Sequence, residues 1–330
     1  MTIGILVLLL AGVCQGSFGL GYKKYKPFSW EAFWCICSIL FSLIPFIWMC
    51  IQVPDFMDYF GQASAKILVF PLICGAFWGL TSIGFSKGVD DIGVSLVYGI
   101  SMGVSAVIGS ITPMVVNASY PAPLQFGFLI LGIVITLFGI AVITKAGLIK
   151  ENELSKENIS KKNNSGSVMK TGLILALISG FGSGAMNIGF DYTKSITDGL
   201  SYIQASSIQW MMVLLGGSVS SAVYCIISIS KNKTWHTLTE KGALKEFGKL
   251  IITCTVWFIA LAAYGTAASM LGDMGPVAGW IIFNALALII SNGWGLKTGE
   301  WNGSVKGKRW ILYGDAVLIL SWVFIGLSNL

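Results

Sequence analysis

Charge is scarce in this chain. Only 11% of its 330 residues are Asp, Glu, Lys or Arg, against about 25% in a soluble domain. It has one histidine, His236, which leaves a histidine dyad or a histidine-rich metal site without a second member. No G-x-S-x-G elbow, no HExxH pair and no P-loop occur. The common hydrolase, zinc-protease and nucleotide-binding readings therefore fall away, an enzyme is not expected, and no cofactor is implied. The first apolar segment lacks a basic leading region and a clear cleavage site, so it reads as a retained span rather than a signal peptide. Seven cysteines are present, all inside apolar segments. Cys35 and Cys37 stand too close for a metal-binding pair of the usual spacing, so the cysteines read as small buried residues.

Apolar sequence is abundant. The chain is 55% hydrophobic with a mean hydropathy of +0.78. Its apolar runs reach roughly 20 residues, enough to cross a hydrocarbon core of about 30 Å as helices. They are continuous rather than alternating, which excludes a β-barrel. Twelve tryptophans and ten tyrosines suit a protein with two membrane interfaces. The expected fold is all-α and polytopic. Ten spans are placed at about 2–22, 30–52, 66–87, 91–116, 124–145, 170–191, 202–229, 249–271, 275–297 and 309–328. Pro45, Pro71 and Pro113 fall inside spans, where neighbouring helices can support a kink. The longest polar run, Lys145 to Lys170, carries six lysines and three glutamates. It divides the chain into 1–145, a mobile linker 146–169, and 170–330.

The basic residues give an orientation. Nineteen lysines and arginines fall in the odd-numbered loops and only Lys66 and Lys194 in the even ones. By the positive-inside rule the odd loops and the linker are cytoplasmic, and both termini lie outside. This distribution explains the net charge of +6 without a nucleic-acid partner.

The halves echo one another. Span 1 contains GILVLLLAGVCQGSFGLGY and span 6 contains GLILALISGFGSGAMNIGF. At an offset of 168, Gly4, Gly12, Gly16 and Gly21 pair with Gly172, Gly180, Gly184 and Gly189. Asp91 and Gly93 pair with Asp273 and Gly275 before spans 4 and 9. With five spans per half, a repeat must be inverted in the membrane, as in alternating-access transporters with a midplane site. The same glycines also serve close helix packing.

Several stretches resemble a known family. They are Ile143 to Glu151 (ITKAGLIKE), Gly172 to Asn187 (GLILALISGFGSGAMN), Ser29-Trp30-Glu31, Gly75 to Gly79 (GAFWG), and Gly299 to Asn302 (GEWN). In this order and spacing they resemble the L-rhamnose–proton symporter family of the drug/metabolite transporter superfamily. The resemblance implies ten helices in two inverted five-helix repeats. It also implies proton-coupled sugar import through a bacterial inner (plasma) membrane. The partners implied are a small-molecule sugar, the proton and the lipid bilayer. Export or exchange of another metabolite on the same scaffold is the alternative transport reading. A receptor or lipid-modifying enzyme would need an exposed ligand domain or clustered polar catalytic residues, and neither is present.

A sugar site needs aromatic faces for the ring's C–H surface and neutral groups for its hydroxyls. The mid-span candidates are Gln15, Trp78, Tyr98, Asn187, Gln209, Trp210, Tyr264, Trp280 and Asn284. Trp280 and Asn284 share a helix face at i, i+4. An unpaired amide is costly in lipid, so the amides face inward, to serve either a ligand or a neighbouring helix. Proton coupling needs a carboxylate or histidine inside the bundle. Asp315 is the deepest acid in the sequence, followed by Asp191 at one end of span 6 and Glu31 at the start of span 2. Asp90, Asp91 and Asp273 read as helix caps, and Glu31 could simply favour the helix dipole. The expected cavity is lined by spans 1, 3, 4, 6, 8 and 9.

Overall fold

The computed structural model describes all residues except 1, 23–24, 93, 117, 119, 158–164 and 329–330. Among the described residues eleven α-helices follow in order: α1 Thr2–Ser17, α2 Trp30–Gln52, α3 Phe56–Gln62, α4 Ala65–Ile92, α5 Val94–Val116, α6 Pro123–Glu157, α7 Ser165–Tyr192, α8 Tyr202–Asn232, α9 Ala243–Met270, α10 Trp280–Lys297 and α11 Val305–Leu327. All but α3 belong to the ten segments long and apolar enough to span a membrane. Pro45, Pro71 and Pro113 lie within α2, α4 and α5.

Both faces of these helices are apolar, as lipid requires. On α2, Trp34, Cys37 and Phe41 are buried while Ile39, Phe46, Ile47 and Ile51 are exposed. Helix ends are set by local chemistry. The Ser29 side chain accepts from the Ala32 amide and opens α2. Ser304 does the same for Gly307 and opens α11. Gln204 accepts from the Ser201 amide at the start of α8.

Several boundaries depart from the expected spans. Helix α9 starts at Ala243 rather than near 249, because Lys249 pairs with Glu246 at 2.9 Å along the helix and the polar turn stays helical. Helix α11 starts at Val305 rather than 309, at its Ser304 cap. The polar run between the halves is helical at both ends. Helix α6 continues through 146–157 and α7 begins at Ser165, while 158–164 lie outside the described residues. The extension of α6 is held by the loop between α10 and α11: Lys150 pairs with Glu300 at 3.3 Å, and Ser304 donates to Glu153.

The bundle is built from a few close pairs. Helix α6 packs on α11, α4 on α7 and α8, α2 on α8, α5 on α7, and α1 on α9 and α10. Glycines permit several of these approaches. A Cβ at Gly12 or Gly16 would strike Leu286, or Ala287 and Ile290, on α10. One at Gly180 or Gly184 would strike Val104 or Ile108 on α5. Gly75 and Gly79 of the GAFWG stretch lie against the backbone oxygens of Val213 and Gly217 on α8.

Candidate functional site

A cavity of about 80 Å³ lies in the middle of the bundle, between α1, α2, α4, α5, α7, α9 and α10. These are the six expected helices plus α2. Nine aromatic side chains line it, together with Gln15, Ser82, Ser179, Ser183 and Asn284, and none of its described lining residues is charged. At about 30 Å³ per water, the space holds about three waters.

One wall is aromatic. Trp78 of α4 and Trp257 of α9 stack with centroids 5.6 Å apart and planes 5° apart. Phe41 of α2 lies 4.3 Å from Trp257. Gly217 makes room for the Trp78 ring, which a Cβ there would strike. The neutral polar groups come from other helices. Gln15 of α1 is 8% exposed, and its carbonyl oxygen has no hydrogen-bond partner. Ser179 and Ser183 stand one turn apart on α7. Asn284 donates to the Trp280 carbonyl at 2.8 Å, which uses one of its two N–H groups. Trp280 donates to the Ser105 carbonyl at 3.0 Å.

Beyond the cavity, toward the ends of α7 and α9 farthest from the linker, a polar latch joins four segments. Asn187 is fully buried. Its amide donates to the Gly109 carbonyl at 2.8 Å and the Pro276 carbonyl at 3.0 Å, and its oxygen accepts from the Tyr264 hydroxyl at 2.7 Å. Phe190 stacks on Trp210 at 4.4 Å, and Trp210 donates to the Leu261 carbonyl at 2.8 Å. Past this layer Lys194 meets Asp273 at 2.7 Å. The Lys194 hydrogen bond and charge hold the exposed Asp273 carboxyl below its ordinary pKa.

Five of the nine sugar-site candidates therefore line the cavity: Gln15, Trp78, Tyr98, Trp280 and Asn284. Asn187, Gln209, Trp210 and Tyr264 do not. Asn187 and Tyr264 form the latch, and Trp210 and Gln209 are buried beside it, because Asn187 and Tyr264 lie toward the ends of α7 and α9 and Gln209 and Trp210 toward the start of α8, all away from mid-span. Sequence reasoning missed Trp34, Phe41 and Trp257, whose rings have the same apolar neighbours as ordinary core residues. Trp34 and Phe41 are seven residues apart on α2, a spacing that puts both on one face.

None of the three acids lines the cavity. Asp315 is buried on α11 and accepts from the Asn292 amide at 2.8 Å. Glu31 accepts from Asn232 at the start of α2. Asp191 lies in a separate depression with Asp198, Lys194 and Asp273.

The family described as L-rhamnose-proton symport protein (RhaT) matches residues 1–329. The chain belongs to this family. It is 23% identical over 343 residues to the L-rhamnose-proton symporter of Klebsiella pneumoniae subsp. pneumoniae, covering 99% of this chain and 98% of the relative. It is 25% identical over 346 residues to the L-rhamnose-proton symporter of Yersinia pestis, with the same coverage. The family is one of transporters, not enzymes, and the chain is a multi-pass membrane protein. The stretches that first carried the resemblance are mostly scaffold in this member. Trp30 donates to Ser86 at 2.6 Å, Trp301 is fully buried under Lys150, and only Trp78, Ser179, Ser183 and Met186 of those stretches reach the cavity.

Proposed function

We propose that this protein imports L-rhamnose or a similar neutral sugar together with protons, by alternating access around the central cavity. The observation that carries the reading is the lining: stacked indoles, several neutral hydrogen-bonding groups, and no charged described residue. Such a site suits the C–H face and hydroxyls of a pyranose and would strand a charged substrate without a counter-ion. A space for about three waters is smaller than a hexose, so the aromatic walls must part to admit one.

The lysine distribution supports a cytoplasmic linker and external termini, in a bacterial inner membrane. On that orientation the Asn187 latch and the Lys194–Asp273 pair close the external side. An inverted repeat is the proposed basis of the exchange. If α1, α2, α4, α5 and α6 correspond to α7, α8, α9, α10 and α11, then the pair α1 with α9 answers α7 with α4, and α1 with α10 answers α7 with α5. The glycine pairs follow the same exchange: Gly12 and Gly16 meet α10, Gly180 and Gly184 meet α5. We place the coupling proton on Asp315. It is an acid in the middle of a membrane helix with a neutral partner on α10, the helix that carries Trp280 and Asn284.

The test is to add sugars one at a time to de-energised cells making the protein and to follow external pH. L-rhamnose should alkalinise the medium as protons enter with it. Sugar uptake without alkalinisation would favour a carrier or exchanger.

A further inference from the structure

We propose that the Gln15 carbonyl oxygen is the acceptor that reads one hydroxyl of the substrate and so sets which sugars are taken. The assignment rests on the sugar-transport reading and goes beyond it to the atom that discriminates. Three observations support it. Gln15 lines the cavity. It is more than nine-tenths buried, so bulk water does not serve it. Its Oε1 has no hydrogen-bond partner.

A buried acceptor without a donor carries the full cost of its lost hydration. That cost is recovered when a donor such as a ligand O–H reaches it. The protein therefore gains little from Gln15 while the cavity is empty and much when the right hydroxyl arrives. The place of Gln15 on α1 is also fixed. Gly12 and Gly16 flank it and press α1 onto α10, with no room for a Cβ at either position, so the amide cannot retreat by moving the backbone. The Trp78–Trp257 wall offers a ring face but no acceptor, and the Asn284 amide already spends one N–H on its own helix. A sugar that lays its C–H face on the indoles leaves its hydroxyls to the polar lining groups, of which Gln15 carries the buried acceptor without a donor. An analogue lacking the hydroxyl at that edge leaves the carbonyl stranded and is rejected, the mechanism by which a polar site discriminates far better than an apolar one.

The test uses the full-length protein in proteoliposomes, with L-rhamnose and its monodeoxy analogues as probes for equilibrium binding. Gln15→Met keeps length and removes the acceptor. Wild type should bind one monodeoxy analogue about 5- to 150-fold more weakly than L-rhamnose. Gln15→Met should bind L-rhamnose more weakly by a similar factor and lose discrimination at that one position. Its melting temperature should be unchanged or raised, because an unpaired polar group has been removed. A purely structural role predicts the opposite, a lowered melting temperature with the analogue ranking intact. Wild-type affinity and ranking in Gln15→Met would overturn this assignment alone. A wild type that binds no sugar in the panel would overturn the functional reading and this assignment together.

Discussion

Replacing Asn187 with leucine keeps the side chain's size and deletes all three hydrogen bonds of the latch. The two carbonyls it serves, Gly109 and Pro276, belong to α5 and the turn into α10, and the Tyr264 hydroxyl to α9. Among the described residues, Asn187 is the side chain bonded to all three partners. Hydrogen bonds between membrane helices average about 0.6 kcal/mol each, so three contribute about 2 kcal/mol to the closed arrangement. If they form only when the external side is closed, Asn187→Leu shifts the balance toward the externally open state by about 30-fold. Ser110, fully buried next to Gly109, is a suitable reporter. In a background without native cysteines, Ser110→Cys should react with an external, membrane-impermeant maleimide about 30-fold faster when Asn187→Leu is present. An unchanged rate would show that the latch does not hold the external side closed.

Three further outcomes follow from the same contacts. Gly16→Val should abolish folded protein, because its Cβ would sit 2.5 Å from the Ala287 carbonyl oxygen, whereas Gly127→Ala, with nothing within 4 Å, should leave the monodisperse yield in detergent unchanged. The Lys194–Asp273 contact should be pH-insensitive near neutrality: with the Asp273 pKa lowered, the pairing contributes above the ordinary carboxylate value of about 3.9 and is lost as pH falls through the lowered one. Labelling at Ser110→Cys, taken relative to a fully exposed control cysteine because maleimide reacts with the thiolate, should therefore rise only below about pH 4 and should lose that rise in Lys194→Gln, and because both groups are exposed the change should be small. Asp315→Asn should still exchange sugar across the membrane but fail to accumulate it on a pH gradient, and retained accumulation would remove Asp315 from coupling.

The spans were legible because lipid leaves so little freedom. Trp30–Gln52 and the start of α8 at Tyr202 coincide with the expected bounds, and the structure shows Ser29 capping α2 and the Ser201 amide bonded to Gln204 at the start of α8. The ends that went astray are those where ion pairs or tertiary contacts extend a helix beyond its apolar part, as at Lys249 and Glu246 or Lys150 and Glu300. The short helix α3 lies outside the spans, and its seven residues carry too little hydropathy to announce it. The cavity was half legible. Gln15, Trp280 and Asn284 stand out as polar or amphipathic groups in apolar spans. Asn187 stands out equally, yet backbone carbonyls of distant segments claim its amide, and no spacing rule predicts that. Trp34 and Trp257 differ from core residues only in what lies beside them.

The central claim is that sugar movement through this cavity is driven by protons. The most direct measurement is accumulation of labelled L-rhamnose in proteoliposomes holding the purified protein, with the outside made acidic. The account predicts internal rhamnose above the external concentration, collapse to equality when a proton ionophore is added, and loss of both uptake and accumulation at low sugar concentration in Gln15→Met. Rhamnose that merely equilibrates, at a rate indifferent to the gradient and to the ionophore, would contradict it.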